Sequence, residues 1–126
     1  MSINKITFAF LFMSIVINAQ QVAIAGGGSV MDWANLKKYQ KSNEELIKTP
    51  DPNRVVFMGN SITEEWGRLD KDFFLNNPFV NRGIGGQTTP QMLIRFKPDV
   101  INLNPKSIVI MAGINDIAGN TGPITI

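Results

Sequence analysis

Three observations predict a doubly wound α/β fold on a parallel sheet. Short apolar runs rich in β-branched residues recur at 55–58, 79–84 and 108–111, helical spacing separates them, and each is followed directly by a polar motif containing glycine. The motifs are Gly59-Asn60-Ser61-Ile62-Thr63, Arg82-Gly83-Ile84-Gly85-Gly86-Gln87-Thr88 and Ala112-Gly113-Ile114-Asn115-Asp116. Residues just beyond the carboxyl ends of parallel strands converge on one crevice. Ser61, Gly86 and Asn115 are therefore expected to meet around one substrate atom.

Taken in order, the chain opens with Lys5 and an apolar run over residues 6–17, then Ile17-Asn18-Ala19 and polar Gln20-Gln21. This is the pattern of a secretory leader over residues 1–19, cleaved near Ala19. The run is shorter than the ~20 residues that a membrane span requires, so no stable span is expected. The mature protein is expected outside the cytoplasm, secreted or periplasmic. Residues 20–31, which include Ala25-Gly26-Gly27-Gly28-Ser29, read as a flexible linker, because consecutive glycines disfavour helix and strand alike.

Residues 32–126 are expected to form the N-terminal part of one domain. A helix over residues 30–48 is predicted, with Ser29 as its N-cap, Trp33 and Leu36 on one packed stripe and Leu46-Ile47 closing it. Thr49-Pro50-Asp51-Pro52-Asn53 ends that helix, and Val55-Val56-Phe57-Met58 reads as a strand covered on both faces. A second helix begins at Ser61. After the strand at 79–84, Thr88-Thr89-Pro90 places a capping hydroxyl before a proline, and Leu93, Phe96, Val100 and Leu103 recur at helical spacing. Pro98 is expected to kink or divide that helix. Three strands are fewer than the five or six such sheets usually hold. The third strand is expected to present an unpaired apolar edge, and the C-terminal part of the domain is expected to be missing from this sequence.

Composition narrows the chemistry. The chain has 12 basic and 10 acidic side chains, a formal net charge of +2, and no cysteine or histidine. Loss of Lys5 with the leader lowers that charge by one, so no basic surface suggests nucleic acid. Zinc and copper lack their usual ligands, and the scattered acids do not show the spacing of a calcium loop, so no metal is expected. No cofactor is expected either, since the segment after the first strand is too acidic and glycine-poor to cradle a phosphate. Ser61 is left as a candidate nucleophile. A serine on a strand-to-helix turn is exposed to the crevice and aided by the helix dipole. Glycine-loop N–H groups and a side-chain amide are suitable oxyanion donors, each worth roughly 3 kcal/mol in the transition state.

Gly59-Asn60-Ser61-Ile62-Thr63, Gly86 and Gly113-Ile114-Asn115-Asp116 resemble blocks I, II and III of the SGNH hydrolases, the GDSL-type esterases and lipases. Asp32-Trp33-Ala34-Asn35-Leu36 and Asn115-Asp116-Ile117-Ala118-Gly119-Asn120 resemble exported members described as lysophospholipase-like or acylhydrolases. The resemblance implies a flavodoxin-like three-layer α/β/α fold. It implies Ser61 as the nucleophile, with the Ser61 N–H, the Gly86 N–H and the Asn115 side chain as oxyanion donors. The substrate it implies is a small-molecule ester, with an acyl group on a carbohydrate or lipid. The family's Asp-x-x-His block, which supplies the triad histidine, has no counterpart in these residues. Asn60 stands where the family usually has aspartate, a change expected to be tolerated because one acceptor oxygen is kept. Asp116, Glu64 and Glu65 are not expected to replace the missing base, since an ordinary carboxylate is too weak a base for a serine hydroxyl. A non-catalytic module that binds acylated sugars or carboxylates is the alternative.

Overall fold

The computed structural model describes residues 32–122; the expected leader, linker and Ser29 cap, and residues 123–126, lie outside the described residues. The chain divides after Trp33, and the fold below is that of the unit beginning at Ala34. Its elements are α1 (Lys37–Lys48), β1 (Val55–Gly59), α2 (Ser61–Leu69), α3 (Lys71–Leu75), β2 (Phe79–Gly83), α4 (Thr89–Asp99), a 3-10 turn (Ile101–Leu103), β3 (Ser107–Met111) and α5 (Ile114–Ile117).

The three strands form one parallel sheet in the order β2-β1-β3, with Val55 opposite Phe79 and Ser107, and Gly59 opposite Gly83 and Met111. All three strands therefore end at one level, and the three motifs leave from the same edge. β1 is central and buried on both faces, as its unbroken apolar run requires. Val56 and Met58 pack with Met92, Val100 and Leu103, supported by Leu46, Val80 and Phe96. On the other face Phe57 meets Trp66, Phe73, Phe74 and Phe79 at ring-centroid distances of 5.3–5.9 Å. Phe73 stacks on Trp66 at 4.7 Å. β3 pairs with β1 alone among the described residues, and all five of its residues are exposed. This is the expected apolar edge.

Helix α1 is shorter than the predicted 30–48. Asn35 takes a left-handed conformation (φ 56°), which interrupts any helix that would run through it, and α1 starts at Lys37. The expected stripe is also corrected. Trp33 precedes the helix and is 49% exposed, while Tyr39, Asn43 and Leu46 carry the inward face. That face is polar in its middle because α1 covers buried arginines. Arg54, itself buried, donates to the carbonyls of Leu46 (3.0 Å), Thr49 (2.6 Å) and Leu103 (2.6 Å), joining the C-terminal end of α1 to the 3-10 turn. A cation suits that end of a helix dipole.

In α4 the N-cap is Thr88, whose N–H donates to Gln91 Oε1 at 3.0 Å, and Pro90 follows at the second helical position. The helix runs through Pro98 and stops at Asp99, so the proline occupies the last turn, where its missing N–H leaves one ladder bond unmade. The predicted apolar stripe holds at Phe96, Val100 and Leu103 and fails at Leu93, which is 75% exposed. Met92 is buried in its place, since turning the helix by one position carries Arg95 and Asp99 inward. Leu103→Ala should therefore cost about 2–5 kcal/mol in urea unfolding. Leu93→Ala should stay within about 0.5 kcal/mol, and comparable losses from the two would restore the original stripe.

Candidate active site

Ser61 opens α2 directly after β1 and is exposed. Asn60 before it is fully buried, and its Oδ1 accepts the Ile62 N–H at 3.0 Å. The acceptor oxygen that asparagine shares with aspartate is thus the atom used to cap the helix. The first turn of α2 lies hard against the end of β2: a Cβ on Gly83 would come within 2.1 Å of the Glu64 amide nitrogen, so only glycine fits. Asn81 Nδ2 adds a bond to the Thr63 carbonyl at 2.6 Å.

This close approach brings the second motif to the serine. A Cβ on Gly85 would lie 3.8 Å from Ser61 Cβ. The loop is held by its peptide groups. The Gly85 N–H donates to Glu64 Oε2 at 2.7 Å, the Gly86 carbonyl accepts Asn120 Nδ2 at 3.2 Å, and the Gln87 carbonyl accepts Asn115 Nδ2 at 2.9 Å. Gly86 sits at φ +75°, a conformation that favours glycine. Two further contacts clasp the third motif onto the start of α4. Asp116 accepts the Thr89 N–H (3.0 Å) and hydroxyl (2.5 Å), and the Thr88 and Thr121 hydroxyls lie 3.1 Å apart. Ser61, Gly86 and Asn115 are thereby gathered at one end of the sheet. One N–H of the Asn115 amide is spent on Gln87, which leaves the other for a ligand.

Beneath the loop lies a buried polar network that sequence reasoning missed. Arg95, fully buried, donates through Nε to Gln87 Oε1, through Nη1 to Asp99 (3.0 Å) and through Nη2 to the Gly59 carbonyl (3.0 Å). Asp99 also accepts Asn43 Nδ2 at 2.7 Å, and Asn43 Oδ1 accepts Arg82 Nε and Nη2 at 2.9 and 2.7 Å. Gln87 Nε2 donates to the Ala34 carbonyl at 2.7 Å. Arg82 stacks 4.6 Å over Tyr39, whose hydroxyl donates to the Gly83 carbonyl at 2.5 Å. The available signal was Arg95 and Asp99, an i, i+4 pair on the same stripe as Met92 and Val100.

The network sets the local electrostatics. Burial lowers the Arg95 guanidinium below its ordinary range, against the pull of Asp99. Burial takes Arg82 down to about 10, with Asp99 and Tyr39 opposing, so it stays charged at neutral pH. Burial raises Tyr39 to about 12, chiefly against Arg82, which favours the phenolate. The three carboxylates weighed as substitute bases are engaged elsewhere. Glu65 bonds Arg68, which holds its carboxyl below the ordinary value. Glu64 takes Gly85 and Lys38, and Asp116 takes Thr89. Among the described residues no group of three or more His, Cys, Asp or Glu side chains has the grouping of a metal site.

Residues 57–126 match the GDSL-like lipase/acylhydrolase family. A crystal structure of a candidate acylhydrolase from Bacteroides fragilis NCTC 9343 aligns at TM-score 0.69 and 55% identity, covering 75% of this chain and 46% of that one. A GDSL-like lipase from Bacteroides thetaiotaomicron VPI-5482 aligns at TM-score 0.67 and 52% identity, covering 73% and 45%. An uncharacterised lipoprotein, YqeF of Bacillus subtilis (strain 168), is 45% identical over 56 residues, 44% of this chain and 20% of its own length. The chain spans about half the length of the two solved relatives and a fifth of the lipoprotein.

Removing Arg95 leaves Asp99 without its direct ion-pair partner and Gln87 Oε1 without its donor. Arg95→Met should therefore lower stability in urea unfolding by about 3–5 kcal/mol, and a loss under about 1 kcal/mol would show that the network is not what holds this end of the sheet. Tyr39 is the chain's single tyrosine, so its phenolate absorbance can be followed alone. In folded protein it should titrate near 12, and in denaturant near the ordinary 10. Because the folded value is the raised one, its stabilising contribution is complete below pH 10 and disappears as pH rises through 12. The stability difference between wild type and Tyr39→Phe should change over that window and be constant below it.

Proposed function

This chain belongs to the GDSL-like lipase/acylhydrolase family, and we propose that its full-length gene product is an exported serine esterase acting on acylated carbohydrates or lipids. In this reading Ser61 Oγ attacks the ester carbonyl carbon. The Ser61 N–H, the Gly86 N–H and the free N–H of Asn115 receive the oxyanion. The tetrahedral intermediate collapses with loss of the alcohol, and water then releases the carboxylate from the serine ester. The proton from Ser61 goes to a histidine of the Asp-x-x-His type, in the part of the relatives' length that this chain does not span. The observation that carries the proposal is the loop beside Ser61. Three side chains from two other segments hold the peptide groups on either side of the one that carries the Gly86 N–H, and fixed dipoles are what electrostatic catalysis of acyl transfer requires.

Export rests on the leader pattern of residues 1–19 and is supported by the likeness to a bacterial lipoprotein. A donor set of this kind also binds a carboxylate product, so binding without turnover is the behaviour of the non-catalytic alternative.

p-Nitrophenyl acetate hydrolysis by the full-length gene product separates the two. Ser61→Ala should lower kcat by about 10³-fold or more, and Asn115→Ala by about 10²- to 10³-fold. Equal turnover by wild type and Ser61→Ala would remove Ser61 from the mechanism. Acetate binding with no turnover above buffer would make the protein a binding module.

A further inference from the structure

We infer that Glu64 is a positioning residue of the oxyanion loop, acting through the Gly85 N–H with Lys38 as its counter-ion; the inference rests on the reading of Ser61 and Gly86 above. Glu64 stands one helical turn after Ser61 on α2 and is half-buried. Its Oε2 accepts the Gly85 N–H at 2.7 Å, and its Oε1 pairs with Lys38 Nζ from α1. The nucleophile and the clamp on the loop are thus mounted on the same turn of one helix. A shift of that helix carries both together, so this side-chain contact helps to set the separation between Ser61 and the loop.

The contact is also placed where it has leverage. It fixes the peptide between Ile84 and Gly85, one residue before the Gly86 N–H to which the proposed mechanism assigns the oxyanion. Downstream, Asn120 and Asn115 hold the Gly86 and Gln87 carbonyls. Without Glu64 the Gly86 peptide is held on one side only, and Gly86 at φ +75° is free to reorient, since glycine has no Cβ to restrict it. Lys38 completes the arrangement. A bare carboxylate beside a site where negative charge develops raises the energy of the transition state, and the ammonium on Oε1 offsets that charge while leaving Oε2 for the loop.

Two readouts on the full-length gene product test this. In p-nitrophenyl acetate kinetics Glu64→Ala should lower kcat about tenfold or more with KM within about threefold, the signature of a misplaced transition-state donor. Glu64→Gln should recover most of the loss, because its amide oxygen still accepts the Gly85 N–H. A kcat for Glu64→Ala within twofold of wild type overturns the inference. So does a Gln variant no better than Ala, which would assign the effect to charge alone. The second readout is amide hydrogen exchange at Gly85 by NMR, which needs no activity. Exchange should quicken about tenfold in Glu64→Ala and stay near wild type in Glu64→Gln; unchanged exchange in the Ala variant overturns the inference whatever the kinetics. If Ser61→Ala hydrolyses as fast as wild type, the esterase reading and the catalytic part of this inference fall together, and exchange still decides whether Glu64 holds the loop.

Discussion

Buried in full, the Arg95 guanidinium has to spend its donors inside the protein, and where it spends them joins the parts of the site. One goes to the carbonyl of Gly59, the last residue of β1 and two before Ser61. Another goes to the side chain of Gln87, in the loop that follows β2. A third goes to Asp99, a turn further along its own helix. A charge taken out of water is tolerated only when it is paired and hydrogen-bonded, so α4, the end of β1 and the second motif can separate only by exposing or orphaning it. The apolar core beneath the sheet supplies the driving force, and this cation supplies the registration.

Much of the remaining polar interior follows from that commitment. Asp99 is fully buried and neutralises one arginine, yet Arg82 also lies close, so two cations share one carboxylate through Asn43. Asn43 serves as the adaptor because an amide accepts on one side and donates on the other. Tyr39 covers Arg82 with its ring and gives its hydroxyl to the Gly83 carbonyl. The inward face of α1 is therefore Tyr39, Asn43 and Leu46, a surface suited to guanidinium groups and unlike an ordinary apolar stripe. Arg54 follows the same logic at the opposite end of the sheet, where backbone carbonyls satisfy it.

Above the network, the candidate site is built from peptide groups held by side chains. Glu64, Asn115 and Asn120 each take one group of the loop from Gly85 to Gln87, and Asp116 and Thr121 fasten the third motif to the start of α4. Ser61 has the same kind of support, with Asn60 capping its helix and Gly83 allowing β2 to press against it. A scaffold that fixes backbone dipoles before substrate arrives avoids reorganisation during the reaction.

The sequence by itself determined the parallel sheet, its two-sided central strand, its apolar edge at β3 and the grouping of the three motifs, because strand period, apolar runs and glycine-bearing turns are local properties. That Ser61, Gly86 and Asn115 lie at the same end of the sheet was legible for the same reason. It also misjudged some helix faces: Leu93 fits the stripe of α4 and faces out, and Trp33 was expected on a helix that starts only at Lys37. Those faces, together with Arg95, Gln87, Asn43 and Glu64, were decided by tertiary structure alone. A buried charge has no preferred sequence neighbour; its partners lie 4 to 36 residues away along the chain, and only folding reveals which carbonyl, amide or carboxylate waits for it.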